Sequence, residues 1–181
     1  MTLDARPAGG VRAVSFEDAF KALYAARFAG LYRYLDRLIG DAELASDVAQ
    51  EAFIRLHGRG EMPAEPVAWL VTVANNLVRD ERRLTGRRLR LLSEQPQRVP
   101  LGAPADPAAD LERAERIGAV RVALETLTLR DRQALLLRHA GYSYREIAAA
   151  LGLGETSVGT TLVRAGQAFR AAFLELHGAP E

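Results

Sequence analysis

The 181-residue chain contains no cysteine, which excludes a disulfide framework and a thiolate zinc site and suits a reducing cytoplasm. It has no stretch long and apolar enough to span a membrane, and its opening MTLDARPAGGVRAVS lacks the apolar run of a signal peptide. A soluble, cytoplasmic protein with no membrane insertion is the expectation. His57, His139 and His177 are scattered, with neither a second histidine at four-residue spacing nor a cysteine beside them, so no metal site is expected. GLGETSVGT, from Gly152, has some features of a phosphate-binding loop but lacks the Gly-Lys-Ser/Thr ending and follows no strand pattern, so no cofactor is expected either. Lysine is nearly absent: Lys21 stands alone, and the arginine and alanine bias fits a GC-rich genome.

The net charge of +1 argues against a nucleic-acid partner only if it is evenly spread, and it is not. Asp36 to Glu65 holds seven acids against three arginines. Arg79 to Arg90 reverses the balance, with six arginines against Asp80 and Glu81.

Hydrophobic spacing predicts helices throughout and no strand. Ser15 with Asp18 makes an imperfect capping box ahead of an apolar stripe from Phe16 through Leu23, Leu31 and Leu38, and Gly40 ends it. Asp41 suits the N-cap of a second helix that buries Leu44, Val48, Ala52, Phe53 and Leu56 and leaves Asp47, Gln50, Glu51 and Arg55 outward. Gly58 to Pro66 reads as a loop, and Pro66 opens a third helix running through Trp69, Leu70, Val73 and Leu77 into the arginines. Ser93 to Ala109 carries four prolines and no helical stripe, so it reads as a linker. Its seventeen residues, extended, reach roughly 50 Å. Beyond it a helix is expected from Leu111 to Leu127, with Ile117, Val120, Val122, Leu124 and Leu127 available for a core, and Thr128 with Asp131 caps the next. The fold class is therefore all-α, two small helical domains at 15–92 and 110–177 joined by a proline-rich linker at 93–109. Since only LHGAPE follows the last stripe, no further C-terminal domain is expected.

Ser143 with Glu146 forms a full capping box and starts a helix at Tyr144, and another begins near Glu155. Between and within them Ala148, Gly152 and Val158 supply a small residue where two helices approach, a glycine able to turn with positive φ, and an apolar anchor beneath the second helix. Those are the requirements of a helix-turn-helix. Any helical hairpin with a glycine turn shares part of the pattern, so this motif alone is weak.

DVAQEAFIRL (Asp47 to Leu56), AWLVTVANNLVRDERR (Ala68 to Arg83) and YSYREIAAALGLGETSVGTTLVRA (Tyr142 to Ala165), in that order, resemble the extracytoplasmic-function group of the sigma-70 family, bacterial transcription initiation factors. The likeness extends from Phe16 to Leu174. It implies a −10-element domain followed by a −35-element domain, and core RNA polymerase, through its β′ clamp helices and its β subunit, and promoter DNA as partners. It also implies an anti-sigma protein. By the resemblance, Asp47, Gln50, Glu51 and Arg55 bind polymerase. Trp69 becomes a stacking candidate, Asn75 and Asn76 base-edge contacts, and Arg79, Arg82 and Arg83 phosphate contacts of the −10 element. The Gly58 to Pro66 loop occupies the place of flipped-base recognition, without a named reader. On the −35 side the candidates are Arg145, Ser157, Thr160, Thr161 and Arg164. Family members often carry basic residues where this chain has Gly159 and Thr161, so weak phosphate attraction is expected there, and Gly159 is read as permitting close approach to the DNA backbone.

Two alternatives stand beside this reading. A two-domain helix-turn-helix regulator would bind an operator without docking on polymerase, and would not need the acidic face. A helical enzyme using Asp47 and Glu51, one helical turn apart, would need a nucleophile or cofactor motif that the chain lacks.

Overall fold

The computed structural model describes residues 15–92 and 107–177, with side chains described over 15–83 and 116–176. Among the described residues there are seven helices and no strand: α1 (Phe16–Ile39), α2 (Ala42–Arg59), α3 (Pro66–Leu92), α4 (Pro107–Thr126), α5 (Leu129–His139), α6 (Tyr144–Leu151) and α7 (Glu155–His177). Their ends follow from local chemistry. The Ser15 hydroxyl accepts from the Asp18 N–H at 3.1 Å, and Asp41 accepts from the Leu44 N–H at 3.0 Å, each satisfying a donor that the first turn leaves unpaired. Gly40 stops α1 in the left-handed region at φ 79°, with its N–H on the Asp36 carbonyl.

Two boundaries differ from those the sequence predicts. α2 continues through Gly58 and Arg59, because the residue that takes the left-handed C-cap is Gly60, two positions later. α4 begins at Pro107, so the last three residues read as linker are helical. A proline with its fixed φ fits the first helical position. α3 runs on through the arginine-rich stretch as far as Leu92.

α1, α2 and α3 close around Leu31, Leu35, Val48, Phe53, Leu56, Leu70 and Val71, all buried. At about 1.5–3 kcal/mol for each large apolar side chain removed from water, this group is the main stabilising term of the N-terminal half. α4, α5 and α6 pack on α7 or on one another over Ala123, Ala134, Leu137, Ile147, Val158 and Ala165. The two halves then meet: α3 lies against α6 and α1 against α5, and buried residues of both form one continuous cluster that includes Tyr34 and Tyr142.

α4 departs from expectation. Of the residues that spacing makes available for a core, Ile117, Val120 and Val122 are 53%, 36% and 40% exposed, while Leu127 is buried along with Ala123. The helix packs on α7, and Val120, with Ile117 in one of the two, lines open grooves together with Leu124 and Arg37.

Candidate nucleic-acid and protein interfaces

On α2 the residues that alternate with the buried stripe face outward. Asp47, Gln50 and Arg55 are exposed, and Glu51, half-buried, accepts from the Arg55 Nε at 2.8 Å in an i,i+4 ion pair. This face also carries what the sequence reading left out. Ile54 is 62% exposed and lines a cleft with Gln50, Phe20, Tyr24, Phe53 and His57, so the polar residues border an apolar notch. The His57 ring packs edge-on against Phe20 at 5.1 Å and pairs with Glu17 at 3.1 Å. Ile54 falls off the inward stripe of Leu44, Val48 and Leu56, which is the signal the sequence offers.

α3 distributes its candidates over two faces. Trp69 is half-buried and packs against the core cluster. Asn76 is exposed and accepts from Arg79 Nη1 at 3.2 Å. Asn75 turns the other way, its Oδ1 accepting from the Tyr34 hydroxyl at 2.7 Å. Burial, offset in part by bonds to Asn75 and to Gln133 of α5, raises the Tyr34 phenol well above its usual range, so the ring stays a neutral donor. Arg82 donates to the Leu38 carbonyl at 3.1 Å, satisfying an acceptor in the last turn of α1. Asn75, Arg79, Arg82 and Arg83 share a cleft with Leu129 and Gln133 of α5. Arg87, Arg88 and Arg90 belong to α3, but their side chains lie outside the described residues.

α6 and α7 have the geometry of a helix-turn-helix. The Ser143 capping box is complete, Gly152 turns at φ 63° with its N–H on the Ala148 carbonyl, Ala148 is buried at the helix approach, and Val158 is fully buried. Ser157 and Thr160 face solvent on α7. Thr161 does not: at 7% exposure it points into the packing, because it shares the inner face with Val158 and Ala165, three residues before and four after. Nor does Gly159 face open space, since a Cβ there would sit 3.7 Å from the Tyr144 ring. That ring in turn lies 5.6 Å from the Arg138 guanidinium. Val163, which the sequence reading passed over, is 61% exposed one position from Arg164.

Both candidate arginines of this half are bound to carboxylates. Arg164 Nη2 lies 2.6 Å from Asp131 Oδ1, and Arg145 Nη2 lies 2.7 Å from Glu65 Oε1, which raises the Arg145 pKa. Asp131 is buried at the start of α5, and burial opposes its ionisation. The bonds from Arg164 and Thr128 outweigh that cost and hold its carboxyl below the usual range. Among the described residues no group of three or more His, Asp or Glu side chains is placed to hold a metal ion, and no helix is long and apolar enough to cross a membrane.

Comparison with known proteins matches residues 23–88 to the family described as Sigma-70 region 2 and residues 117–168 to Sigma-70, region 4. The ECF RNA polymerase sigma factor SigL of Mycobacterium tuberculosis is 36% identical over 163 residues, covering 86% of this chain and 89% of that protein. The ECF RNA polymerase sigma factor SigX of Bacillus subtilis is 30% identical over 155 residues, covering 80% and 78%. Among solved structures, the sigma factor RpoE of Bartonella quintana, crystallised in complex with the anti-sigma factor NepR, superposes with a TM-score of 0.62 over 90% of this chain and 99% of that one at 23% identity, a likeness of fold.

Proposed function

The chain belongs to the extracytoplasmic-function group of sigma-70 RNA polymerase sigma factors, and on that premise we propose how its surfaces divide the work of promoter selection. The domain at 15–92 docks on core polymerase and opens the −10 element, and the domain at 110–177 reads the −35 element. No bond of the DNA or the protein is changed. The α2 face meets the β′ clamp helices through Asp47, Gln50, Glu51 and Arg55, with Ile54 and the neighbouring aromatic cleft supplying the dry centre such an interface needs. On α3, Asn76, Arg79 and Arg83 leave the helix toward solvent, where amide and guanidinium groups can hold the bases and phosphates of an opened strand. Asn75 and Arg82 join them once their present partners are exchanged, and Trp69 offers the part of its ring not covered by the core.

For the −35 element, Ser157 and Thr160 reach the groove, where hydroxyls bond phosphates or several bases. Arg145 and Arg164 flank them. A guanidinium carries five N–H donors, so the single bond from Arg164 to Asp131 leaves others for a phosphate while fixing the fork in place. Thr161 contributes through packing and sets the inner face of α7. Because the structurally similar RpoE is held by an anti-sigma factor, we assign this chain a comparable inhibitory partner.

The observation that carries this reading is the pairing, in one chain and in the family's order, of an outward acidic and apolar α2 face with a complete helix-turn-helix. Purified protein added to core RNA polymerase and a promoter template yields promoter-dependent transcripts. Glu51→Arg weakens polymerase binding, measured by co-purification or anisotropy, and leaves binding to an isolated −35 duplex unchanged. Duplex binding without transcripts would instead identify a regulator that occupies an operator.

A further inference from the structure

We propose that the cleft between α3 and α5 is a binding site for a small phosphoryl anion, the diphosphate group of inorganic pyrophosphate or of a nucleoside diphosphate, and that its occupant competes with the −10 strand. The site stands on its own geometry; the competition rests on the division of surfaces just proposed.

One wall of the cleft is a face of α3. Asn75, with Arg79, Arg82 and Arg83 four, seven and eight positions on, occupies one side of the helix, so three guanidiniums crowd together. Like charges at three- and four-residue spacing repel one another. Leu129 and Gln133 of α5 form the opposite wall, and no carboxylate lines the cleft among the described residues. Positive charge extends into α5. Burial, and after it the charge of Arg82, lowers the Arg132 pKa, an effect that Glu125 offsets in part. Arg132 donates from Nη2 to the Glu125 carbonyl at 3.1 Å, while its Nε is buried with no hydrogen-bond partner among the described residues.

The polar groups of the cleft are mainly donors. Arg79 donates from Nη1 to the neutral Asn76 amide at 3.2 Å, and Arg82 from Nη2 to the Leu38 carbonyl at 3.1 Å, so each keeps most of its five N–H groups. The Tyr34 hydroxyl, which Gln133 also bonds, donates to Asn75 Oδ1 at 2.7 Å and so engages the oxygen of that amide rather than its nitrogen. Three cations and amide donors without an acid select an oxyanion, and guanidinium forks match phosphoryl oxygens two at a time. Size narrows the choice. The cleft measures about 230 Å³, the room of roughly seven or eight waters at about 30 Å³ each, which suits a diphosphate and leaves a sugar and base outside. A nucleic-acid phosphodiester brings one negative charge, whereas a diphosphate brings several and neutralises the three guanidiniums more fully. The α5 wall also displaces water, which strengthens the attraction. A strand on α3 meets the arginines alone; the enclosed anion meets Gln133 as well and senses whatever stands at position 129.

Calorimetric titration of the full chain, with ionic strength held constant by sodium chloride, shows pyrophosphate binding at one equivalent. A parallel titration with ADP separates the two sources: binding no tighter than pyrophosphate assigns the site to the free diphosphate, tighter binding assigns it to a nucleotide, and both support the shared chemistry. Leu129 is 48% exposed at the first position of α5, so substitutions there preserve the fold. Leu129→Glu puts a carboxylate opposite the arginines and weakens pyrophosphate binding by about tenfold, and Leu129→Arg tightens it by about threefold. In the parent, pyrophosphate at ten times its dissociation constant raises the apparent Kd of a single-stranded −10 oligonucleotide about elevenfold, the factor of simple competition. Absence of binding at constant ionic strength, or binding indifferent to both Leu129 substitutions in variants of native helicity, overturns the site. Unchanged strand affinity at saturating pyrophosphate overturns the competition. Failure of the sigma reading registers elsewhere, as absent transcripts with core polymerase, since the pyrophosphate titrations contain neither DNA nor polymerase.

Discussion

In the N-terminal domain Arg79 and Arg83 extend from α3 into solvent, and Arg79 touches only the neutral Asn76 at 3.2 Å among the contacts described. In the C-terminal domain both arginines beside the reading surface sit on carboxylates, Arg164 on Asp131 and Arg145 on Glu65. The C-terminal surface is therefore poorer in available positive charge than its composition indicates, whereas the N-terminal one keeps most of what it has. Formal charge counts residues; attraction to phosphate depends on what each guanidinium already faces. Under the division of surfaces we propose, electrostatic affinity comes from the −10 side and from polymerase, and the −35 helix serves placement.

The largest expected break in that contrast comes from Arg79→Ala combined with Arg83→Ala. Binding to a single-stranded −10 oligonucleotide falls by about tenfold or more, and the slope of log affinity against log salt drops by about 1.4, near 0.7 for each lost phosphate contact on a single strand. Titration at three salt concentrations measures both. Next, Arg164→Ala strands the buried Asp131 carboxylate and lowers stability by about 1–3 kcal/mol in urea unfolding near neutral pH. The sign of its pH dependence follows from the depressed folded-state pKa of Asp131. The stabilisation is present above the unfolded carboxyl pKa, about 3.9, and disappears as pH falls through the lower folded value. Parent and variant should converge in acid. The smallest effect is a gain: Thr160→Arg, placed on the exposed face of α7, strengthens −35 duplex binding by about threefold and steepens its salt slope by about 0.9, which brings the two domains closer in character.

Much of the architecture was legible because it depends on neighbours in sequence. The Ser143 and Glu146 box, the Asp41 cap and the Gly152 turn each involve residues within four positions, and all three formed as the spacing implied. On α4 periodicity alone does not decide burial: Val120 is apolar and correctly spaced, yet it is 36% exposed. Thr161 went astray for the converse reason. A hydroxyl suggested a reading face, but its place between Val158 and Ala165 on the inner face of α7 decided its burial. The polar α2 face was readable from its alternation with the buried stripe, yet Ile54 shows that an outward position need not be polar.

By itself, then, the sequence determined the helices, most of their ends, the helix-turn-helix and the family order of the two sigma-70 regions, since hydrogen bonds over one turn and apolar steps of three and four residues are local quantities. Tertiary structure alone decided which polar groups are already engaged. Tyr34 meets Asn75 across 41 residues, Arg164 meets Asp131 across 33, and Arg145 meets Glu65 across 80. Such pairings depend on how helices cross and which faces they bury, and no periodicity within one segment encodes the position of another.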